Sequence, residues 1–547
     1  MHTFCFFVQQ TFLIYAKIAV FLLTKIKEMN HTTPIILAFS ALSLSVQAQE
    51  DPVGKIRLDE GLSYKVEMQG SLSDSKTPLW LNANRYGLSS LEKENGYLRA
   101  AVERKLSIDS LRRWGIGYAL DIAGAYHYTS KPIVQQAYVE GRWLKGVLTI
   151  GAKQWPMEMK NNRLSSGSQT LGINARPVPQ VRVALDQWWN IFGLRWLALR
   201  GHIAYGMLTD GNWEEDFTNA KTKYGKKVLY HSKAGYIRLG NPDSYMPLSA
   251  ELGLEMASLF GGTLYIPKRG GGLQEVKGNT GLSAFKDALI PGGSDATDGN
   301  YKNVEGDQLG SWVGRINYDA DTWRLGFYYD KFFEDHSGMF QLDYDGYGTG
   351  SEWNVEKKHR YLLYDFKDWM LGLEYNRKYG TWLRDIVFEY LYTEYQSGPI
   401  YHDHNKGTSD HIGGRDNYYN HNMYAGWQHW GQAIGNPLYT SPIYNSNGRL
   451  YFTNTRFMAF HLGVSGNPFD NLRYRLLATY QEGLGTYDEP YTKRRHNVSF
   501  MAEASYDLPK GWTVTADYGM DFGSILGHNK GFQVTVTKYG MFKTKRK

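Results

Sequence analysis

The densest set of chemically capable side chains lies between residues 415 and 430. It combines aromatic rings with planar polar groups: Arg415, Asp416, Asn417, Tyr418, Tyr419, Asn420, His421, Trp427, His429 and Trp430. Sugar rings present C–H faces that pack on aromatic rings, and hydroxyls that pair with amide, carboxylate, guanidinium and imidazole groups. The segment therefore suits contact with a glycan. An equally open interpretation is a loop whose aromatic residues anchor it at an interface and whose polar groups bind one another.

Two further segments supply secondary candidates for ligand contact. They are Arg176, held between Asn174 and Pro179, and the acidic and imidazole groups Glu334, Asp335 and His336 within Phe332–Phe340. Pro177 and Pro179 stiffen an extended backbone, so Arg176 has a structural alternative, pairing with carboxylates inside a barrel. The second segment has one too, as an aromatic girdle followed by a turn.

The histidines between residues 402 and 429 raise the question of a metal site. His402 and His404 flank an aspartate, but the chain has no helical His-Glu-x-x-His motif and offers no thiolate to complete a tetrahedral set. Asp343 begins a stretch like a calcium loop, yet Asn354 takes the twelfth position, where a glutamate is expected. We expect solvated loop histidines, no metal and no cofactor.

The elements that position these loops are strands. In Trp114–Tyr128 the even positions are apolar, aromatic or glycine, and the odd positions are Gly, Ala, Asp and His. Because successive side chains of a strand point to opposite faces, this pattern predicts a lipid-facing side and a lumen-facing side that includes Asp121 and His127. The segment exceeds the roughly 9–11 residues that a tilted strand needs to cross a bilayer, so we predict a transmembrane β-barrel.

Composition favours a barrel over a helical membrane protein. The mean hydropathy is −0.47, aromatic residues make up 15% of the chain, and there are 59 glycines. The formal charge is +7, and four basic residues lie among the last five, so charge gives no argument for nucleic acid. The only cysteine, Cys5, precedes the predicted mature chain, which would therefore contain no disulfide.

Residues 1–48 have the features of a leader or signal peptide. An apolar run from Ile35 to Val46 precedes Val-Gln-Ala48, which predicts cleavage after Ala48, and the true start is possibly Met29. We expect residues 49–547 to form a single outer-membrane barrel domain that ends in a basic C-terminal tail.

Periodicity predicts an all-β, antiparallel barrel of 16–18 strands, an even number as in bacterial barrels. Clear alternation begins at Trp323, Ile386, Val498 and Trp512, and the last strand carries Phe532, Val534 and Val536. Short links at 319–322 and 507–511 predict periplasmic turns, and the long connections near 266–310, 333–368 and 396–449 predict extracellular loops. Within the first long connection, residues 282–290 suggest a short helix.

The motifs outside the strands resemble the Wzi family of capsule-assembly outer-membrane proteins, in its Bacteroidetes-type form. Four motifs carry the resemblance in order along the chain: Asn174–Pro179, Gly310–Trp312, Phe332–Phe340 and Asp416–His421. The resemblance implies a barrel of about eighteen strands in the bacterial outer membrane. It also implies a lectin without catalytic activity that binds capsular or extracellular polysaccharide and helps to anchor it. Outer-membrane lipid and, during biogenesis, the barrel-assembly machinery are the other expected partners.

Two other classes of function remain open at this point. A substrate-specific porin would show the same strand pattern. A barrel hydrolase would need a nucleophile beside a base, and the chain lacks a Gly-x-Ser-x-Gly motif. We expect that the protein is not an enzyme, and the conductance and polysaccharide binding of the purified barrel separate the two remaining classes.

Overall fold

The computed structural model describes residues 56–543. Excepted are residues 242–245, 291–295, 298–299, 302–305, 335–339, 344–346, 349, 358–359, 364–366, 381 and 406–407. Only the backbone is described for residues 296–297, 300–301, 340–343, 360–363, 401–405 and 408–413. The predicted leader, residues 1–48, and the end of the basic tail lie outside the described residues.

Eighteen antiparallel strands form one closed barrel, which confirms the predicted fold class. They are β1 Leu62–Ser73, β2 Glu94–Arg104, β3 Trp114–Tyr126, β4 Pro132–Trp143, β5 Gly146–Ala152, β6 Gln180–Asn190, β7 Leu197–Met207, β8 Leu229–Leu239, β9 Leu248–Phe260, β10 Asp307–Asp319, β11 Trp323–Glu334, β12 Trp369–Arg377, β13 Asp385–Tyr392, β14 Arg456–Phe469, β15 Leu472–Gly485, β16 Pro490–Leu508, β17 Trp512–Gly523 and β18 Asn529–Met541. Each strand pairs with its neighbours in sequence. β18 pairs with β1 from Ser63 opposite Met541 to Ser73 opposite Gly531, so the sheet has no free edge.

Strand β3 shows how the sequence pattern builds the wall. Trp114 and Tyr126 are exposed on the outer face, whereas Asp121 is buried in the lumen, where both its oxygens accept hydrogen bonds from Arg99. The inward position predicted for His127 is wrong. The strand ends at Tyr126, and His127 takes a positive φ in the turn, where its exposed ring stacks on Tyr126.

The connections differ sharply between the two ends of the barrel. At one end, here the short-turn end, strands are joined by 2 to 9 residues, including Pro509–Gly511 and residues 320–322. At the other, the long-loop end, the connections include residues 153–179, 208–228, 261–306, 335–368 and 393–455. In bacterial barrels, long loops are extracellular and short turns periplasmic.

Short helices and small sheets lie within the connections at the long-loop end. The helices are α1 Leu79–Asn82, α2 Gly211–Thr218 and α3 Leu282–Leu289, and α3 confirms the helix predicted in that connection. A three-stranded sheet joins Tyr224–Lys226, Thr263–Pro267 and Leu273–Lys277, and two-residue strands at Gln428–His429 and Gln432–Ala433 form a hairpin. Among the described helices, none has the length and apolar character needed to cross a membrane.

Connections from the long-loop end fold inward and fill much of the lumen. Residues 153–179 cross it: Lys160 pairs with Asp330 on β11 at 2.8 Å, and the Leu164 carbonyl accepts from the ring of His461 on β14 at 2.7 Å. Helix α1 lies against the inner face of β15, where the Trp80 indole N–H donates to the Thr479 hydroxyl at 3.1 Å. An 18-stranded barrel is wide enough for a water-filled channel, but this one contains a packed interior.

Candidate functional site

The segment 415–430 contributes its largest aromatic rings to the interior. Tyr418 and Tyr419 are 2% and 0% exposed. The Tyr418 hydroxyl donates to Asp368 at 2.8 Å, and the Tyr419 ring lies 4.1 Å from that of Tyr439. Both rings pack edge-on against Phe332. These tyrosines hold the segment inside the barrel mouth and present no open face to a ligand.

The two tryptophans of the segment occupy different surroundings. Trp427 is fully buried, stacks on Tyr230 of β8 with ring centroids 5.8 Å apart, and donates to the Thr170 carbonyl at 3.0 Å. Trp430 is only partly buried, and the guanidinium of Arg176 lies 4.1 Å from its ring centroid. The pair does not form a joint stacking surface, because stacking on a sugar requires an accessible ring face.

The secondary candidates lie beneath the segment. Arg176 is buried and donates to the hydroxyls of Ser130 and Thr129 at 3.0 and 3.2 Å. Glu334 is also buried, and its carboxylate accepts the backbone N–H of Tyr419. Both side chains therefore position the long-loop connections. Asp335 and His336 lie outside the described residues.

Asn420 and His421 fix the backbone around the buried tyrosines. The Asn420 side chain donates to the Phe452 carbonyl at 2.9 Å and accepts from the Phe452 N–H at 2.8 Å, as a neighbouring strand would. The imidazole Nδ1 of His421 accepts the N–H groups of Met423 and Tyr424. Burial, with a smaller contribution from the charge of Lys223, lowers the pKa of His421 to about 4. A neutral ring is the form that accepts these bonds.

Arg415 is exposed at the surface, and Asp416 beside it is half-buried. Arg415 has a positive φ of 56°, its side chain is 44% exposed, and its guanidinium lies 5.6 Å from the centroid of the Tyr487 ring. Asp416 is half-buried and accepts a hydrogen bond from the Ser397 hydroxyl at 2.6 Å. The exposed part of the predicted site is therefore its N-terminal end.

Arg415 belongs to a larger exposed cluster that sequence reasoning missed, here called the rim patch. Its members come from two neighbouring connections at the long-loop end and from the start of β14: Arg415, Asn417, Arg449, Tyr451, Arg456, Tyr487 and Asp488. The Arg456 guanidinium stacks 3.8 Å from the Tyr487 centroid, and that of Arg449 lies 4.9 Å from the Tyr451 centroid. Half-exposed tyrosines are thus held among guanidinium groups.

Hydrogen bonds join the two halves of the rim patch. The Asn417 amide donates to the Tyr451 hydroxyl at 2.9 Å and to Asp488 at 3.0 Å, and the Tyr451 hydroxyl also bonds Thr486 at 2.9 Å. The patch therefore offers preorganised ring edges, planar donors and carboxylate acceptors to a ligand at the surface. These are the groups that hydroxyl-rich ligands require.

Metal binding finds no support in the part of the chain that the structure describes. No group of three or more His, Asp, Glu or Cys side chains is placed there to hold an ion. The side chains of His402, His404 and His411 fall outside that part.

Comparison with known proteins identifies the fold. No protein-family model matches the chain, and no curated protein matches its sequence. Among solved structures it is similar to Wzi of Escherichia coli, described as an outer-membrane protein of group 1 capsule assembly and a carbohydrate-binding β-barrel. The TM-score is 0.52 at 13% identity, over 88% of this chain and 85% of that one. This likeness shows a barrel fold shared with an outer-membrane protein.

Porins of the OprD and Occ type are more distant. OprD of Pseudomonas aeruginosa has a TM-score of 0.40 at 10% identity, over 90% of this chain and 99% of that one. OccAB3 of Acinetobacter baumannii has a TM-score of 0.41 at 9% identity, over 88% of this chain and 100% of that one. Scores this low carry no functional argument.

Proposed function

We propose that this chain is a Wzi-type, non-enzymatic outer-membrane lectin that binds exported capsular or extracellular polysaccharide at the cell surface and helps to anchor it. The rim patch is the proposed contact surface. Arg415 and Asn417 belong to the predicted segment, and Arg456 and Tyr487 join them in the patch.

The observation that carries the proposal is the filled lumen. Trp80, Tyr419, Trp427 and Phe452 are each at most 1% exposed, and they pack on wall residues that a porin would leave facing water. Burial of four aromatic side chains of about 150–250 Å² each creates an interior core. A barrel with such a core is better suited to holding a ligand at its surface than to passing one through.

The likeness to Wzi of Escherichia coli supports the same function. That protein is described as a carbohydrate-binding barrel involved in capsule assembly. The motifs at Asn174–Pro179 and Asp416–His421 resemble its family, and both belong to connections that close the barrel mouth. We extend carbohydrate binding to this chain on those grounds.

The direct test is binding of the purified barrel to the surface polysaccharide of its own host, with and without an altered rim patch. Replacing Arg415 and Tyr487 together by Ala should weaken binding by about tenfold, or about 1.4 kcal/mol. The matched control replaces Arg324 and Tyr318, an exposed arginine and tyrosine at the short-turn end. Binding unchanged by the rim variant would remove the patch from the site.

Conductance in planar bilayers separates a lectin from a porin. The wild-type barrel should give no channel or a small one, because the described connections pack inside the lumen. Large, stable channels would contradict the proposal and favour the porin.

A further inference from the structure

A chamber lined by both charged and apolar side chains remains inside the barrel beside strands β6, β7 and β8. Its volume is about 270 Å³, and the inserted residues 153–178 form its inner side. The chamber is near the lower limit of the roughly 300–1,000 Å³ found for small-molecule pockets. The chamber therefore has room for one or two small rings of a ligand and is too small for a polymer strand.

Cationic and aromatic side chains dominate the chamber lining. Four cations, Lys153, Arg176, Arg182 and Arg200, face two carboxylates, Glu158 and Asp186. Arg182 binds Asp186 at 2.8 Å, and Arg200 pairs with Glu158. Lys153 pairs with Glu140 of β4, so the ion pairs leave one positive charge, that of Arg176, in a space where low solvent access strengthens its attraction for an anion.

Aromatic rings hold the cations in place. The Trp155 ring lies between Lys153 and Arg182, at 4.7 and 3.8 Å from its centroid, and Arg200 lies 5.4 Å from the Tyr236 centroid. His202 bonds Ser232 at 3.2 Å and adds a polar neighbour at mid-depth. Preorganised guanidinium groups bind the carboxylate of a ligand in a bidentate manner. The carboxylates of Glu158 and Asp186 can accept hydrogen bonds from the hydroxyls of the ligand.

The chamber opens towards the short-turn end. β6 runs from Gln180 at the long-loop end to Asn190 at the short-turn end, so Asp186 lies deeper along the wall than Arg182. Side-chain exposure rises along this direction, from 9% for Arg182 to 20% for Arg200 and 31% for Asp186. At the long-loop end the chamber is lined by Arg176, Val178 and Ile434, and the stacked Tyr230 and Trp427 lie beside it.

We infer that this chamber is a second ligand site. It binds one acidic sugar unit that bears a carboxylate, and this ligand enters from the short-turn end. Guanidinium groups from Arg182 and Arg200 bind the carboxylate, and the edge of the partly exposed Trp155 ring contacts the sugar. The inference goes beyond the proposed function, because the rim patch and the chamber use separate residues at opposite sides of the packed core.

The test is calorimetric titration of the detergent-purified barrel with glucuronate, glucose and inorganic phosphate. Glucuronate should bind, and glucose and phosphate should bind at least tenfold more weakly. Arg200→Gln should weaken glucuronate binding about tenfold, whereas Arg315→Gln should leave it unchanged. Arg315 is the matched control because it also faces the lumen, paired with Glu374 at 2.7 Å, but does not line the chamber.

A second variant keeps the inference testable if Arg200→Gln fails to fold. Glu158→Gln removes the carboxylate that competes for Arg200, so glucuronate should bind several-fold more tightly. Equal binding of phosphate and glucuronate, or the same glucuronate affinity in the wild type, Arg200→Gln and Glu158→Gln, would overturn the assignment. Loss of polysaccharide binding in rim-patch variants has no bearing on this result, so the two proposals fail separately.

Discussion

The two sides of the barrel lumen are built on the same strand pattern but filled differently. Along β13 to β16 the inward side chains Leu391, Ala459, Leu477 and Met501 join an apolar core with the inserted rings. Along β6 to β8 the inward groups are Arg182, Arg200 and Ser232 around the chamber. Polar groups such as Glu389 and His461 are enclosed along β13 to β16 as well, so the two walls differ in how closely the inserted connections pack on them, and strand alternation alone does not reveal this difference.

The packed core between the two sides, where Trp427 stacks on Tyr230 of β8, should respond most strongly to the loss of an aromatic ring. Trp427→Ala removes a fully buried indole and its hydrogen bond, so we expect a loss of about 3–5 kcal/mol in the free energy of unfolding. Trp430→Ala, at the partly exposed ring, should cost less than about 2 kcal/mol. Urea unfolding of the detergent-solubilised barrel measures both, and equal losses would contradict the burial difference.

The boundary between the two sides depends on a buried ion pair. Lys160 and Asp330 are both about 1% exposed or less, and Asp330 also accepts the Gln169 N–H at 3.0 Å. Lys160→Met leaves the carboxylate without its counter-charge, so we expect a loss of about 3 kcal/mol. The control Arg324→Met breaks the exposed pair with Asp319 and should cost about 0–1 kcal/mol. Similar unfolding midpoints for the two variants would show that the pair does not fix residues 153–179.

The smallest expected effect is a pH response at His421, whose carbonyl accepts a hydrogen bond from Lys223. His421 has a pKa of about 4 in the folded chain and about 6.5 when unfolded. Between these values the unfolded chain binds more protons, so its contribution to stability is present above pH 6.5 and is lost as the pH falls towards 4. From pH 7 to pH 5 we expect a loss of about 2 kcal/mol.

His421→Asn keeps an acceptor and removes the titrating group, so this part of the pH dependence should disappear. His496→Asn, at an imidazole that is 54% exposed, is the control and should retain it. Identical pH dependence in all three proteins, measured as urea midpoints at pH 7 and pH 5, would assign the response to other groups.

The wall of the barrel was readable from the sequence because one face of each strand meets lipid. Alternating residues indicate β3, β11, β13, β16, β17 and β18, whereas no strand is predicted at Gln180–Asn190. A bulge between Leu185 and Trp189 breaks the alternation of β6, and a bulged strand no longer presents every second residue to one face. Its polar inward groups, Arg182 and Asp186, follow the Arg176 motif directly in the sequence and give no sign of a strand.

The candidate site was only partly readable. Segment 415–430 has no periodicity, so nothing in its residue types separates buried Trp427 from partly exposed Trp430. Tyr487 was not predicted for a different reason. It lies in a four-residue connection, Thr486–Glu489, whereas the sequence predicts extracellular loops at the long connections. A short link can carry a surface site when a long one folds beside it.

Helix α1 has a consequence for how the chain reaches its final state. Although it follows the first strand, the Leu79 N–H donates to Asp521 of β17 at 3.1 Å and Trp80 bonds Thr479 of β15. These partners are separated by about 400 residues, and contacts of such long range make folding slow. The connection between β1 and β2 can therefore make its final contacts only after the C-terminal strands have formed. Closure of the seam between β1 and β18 and formation of the core then occur together, late in folding.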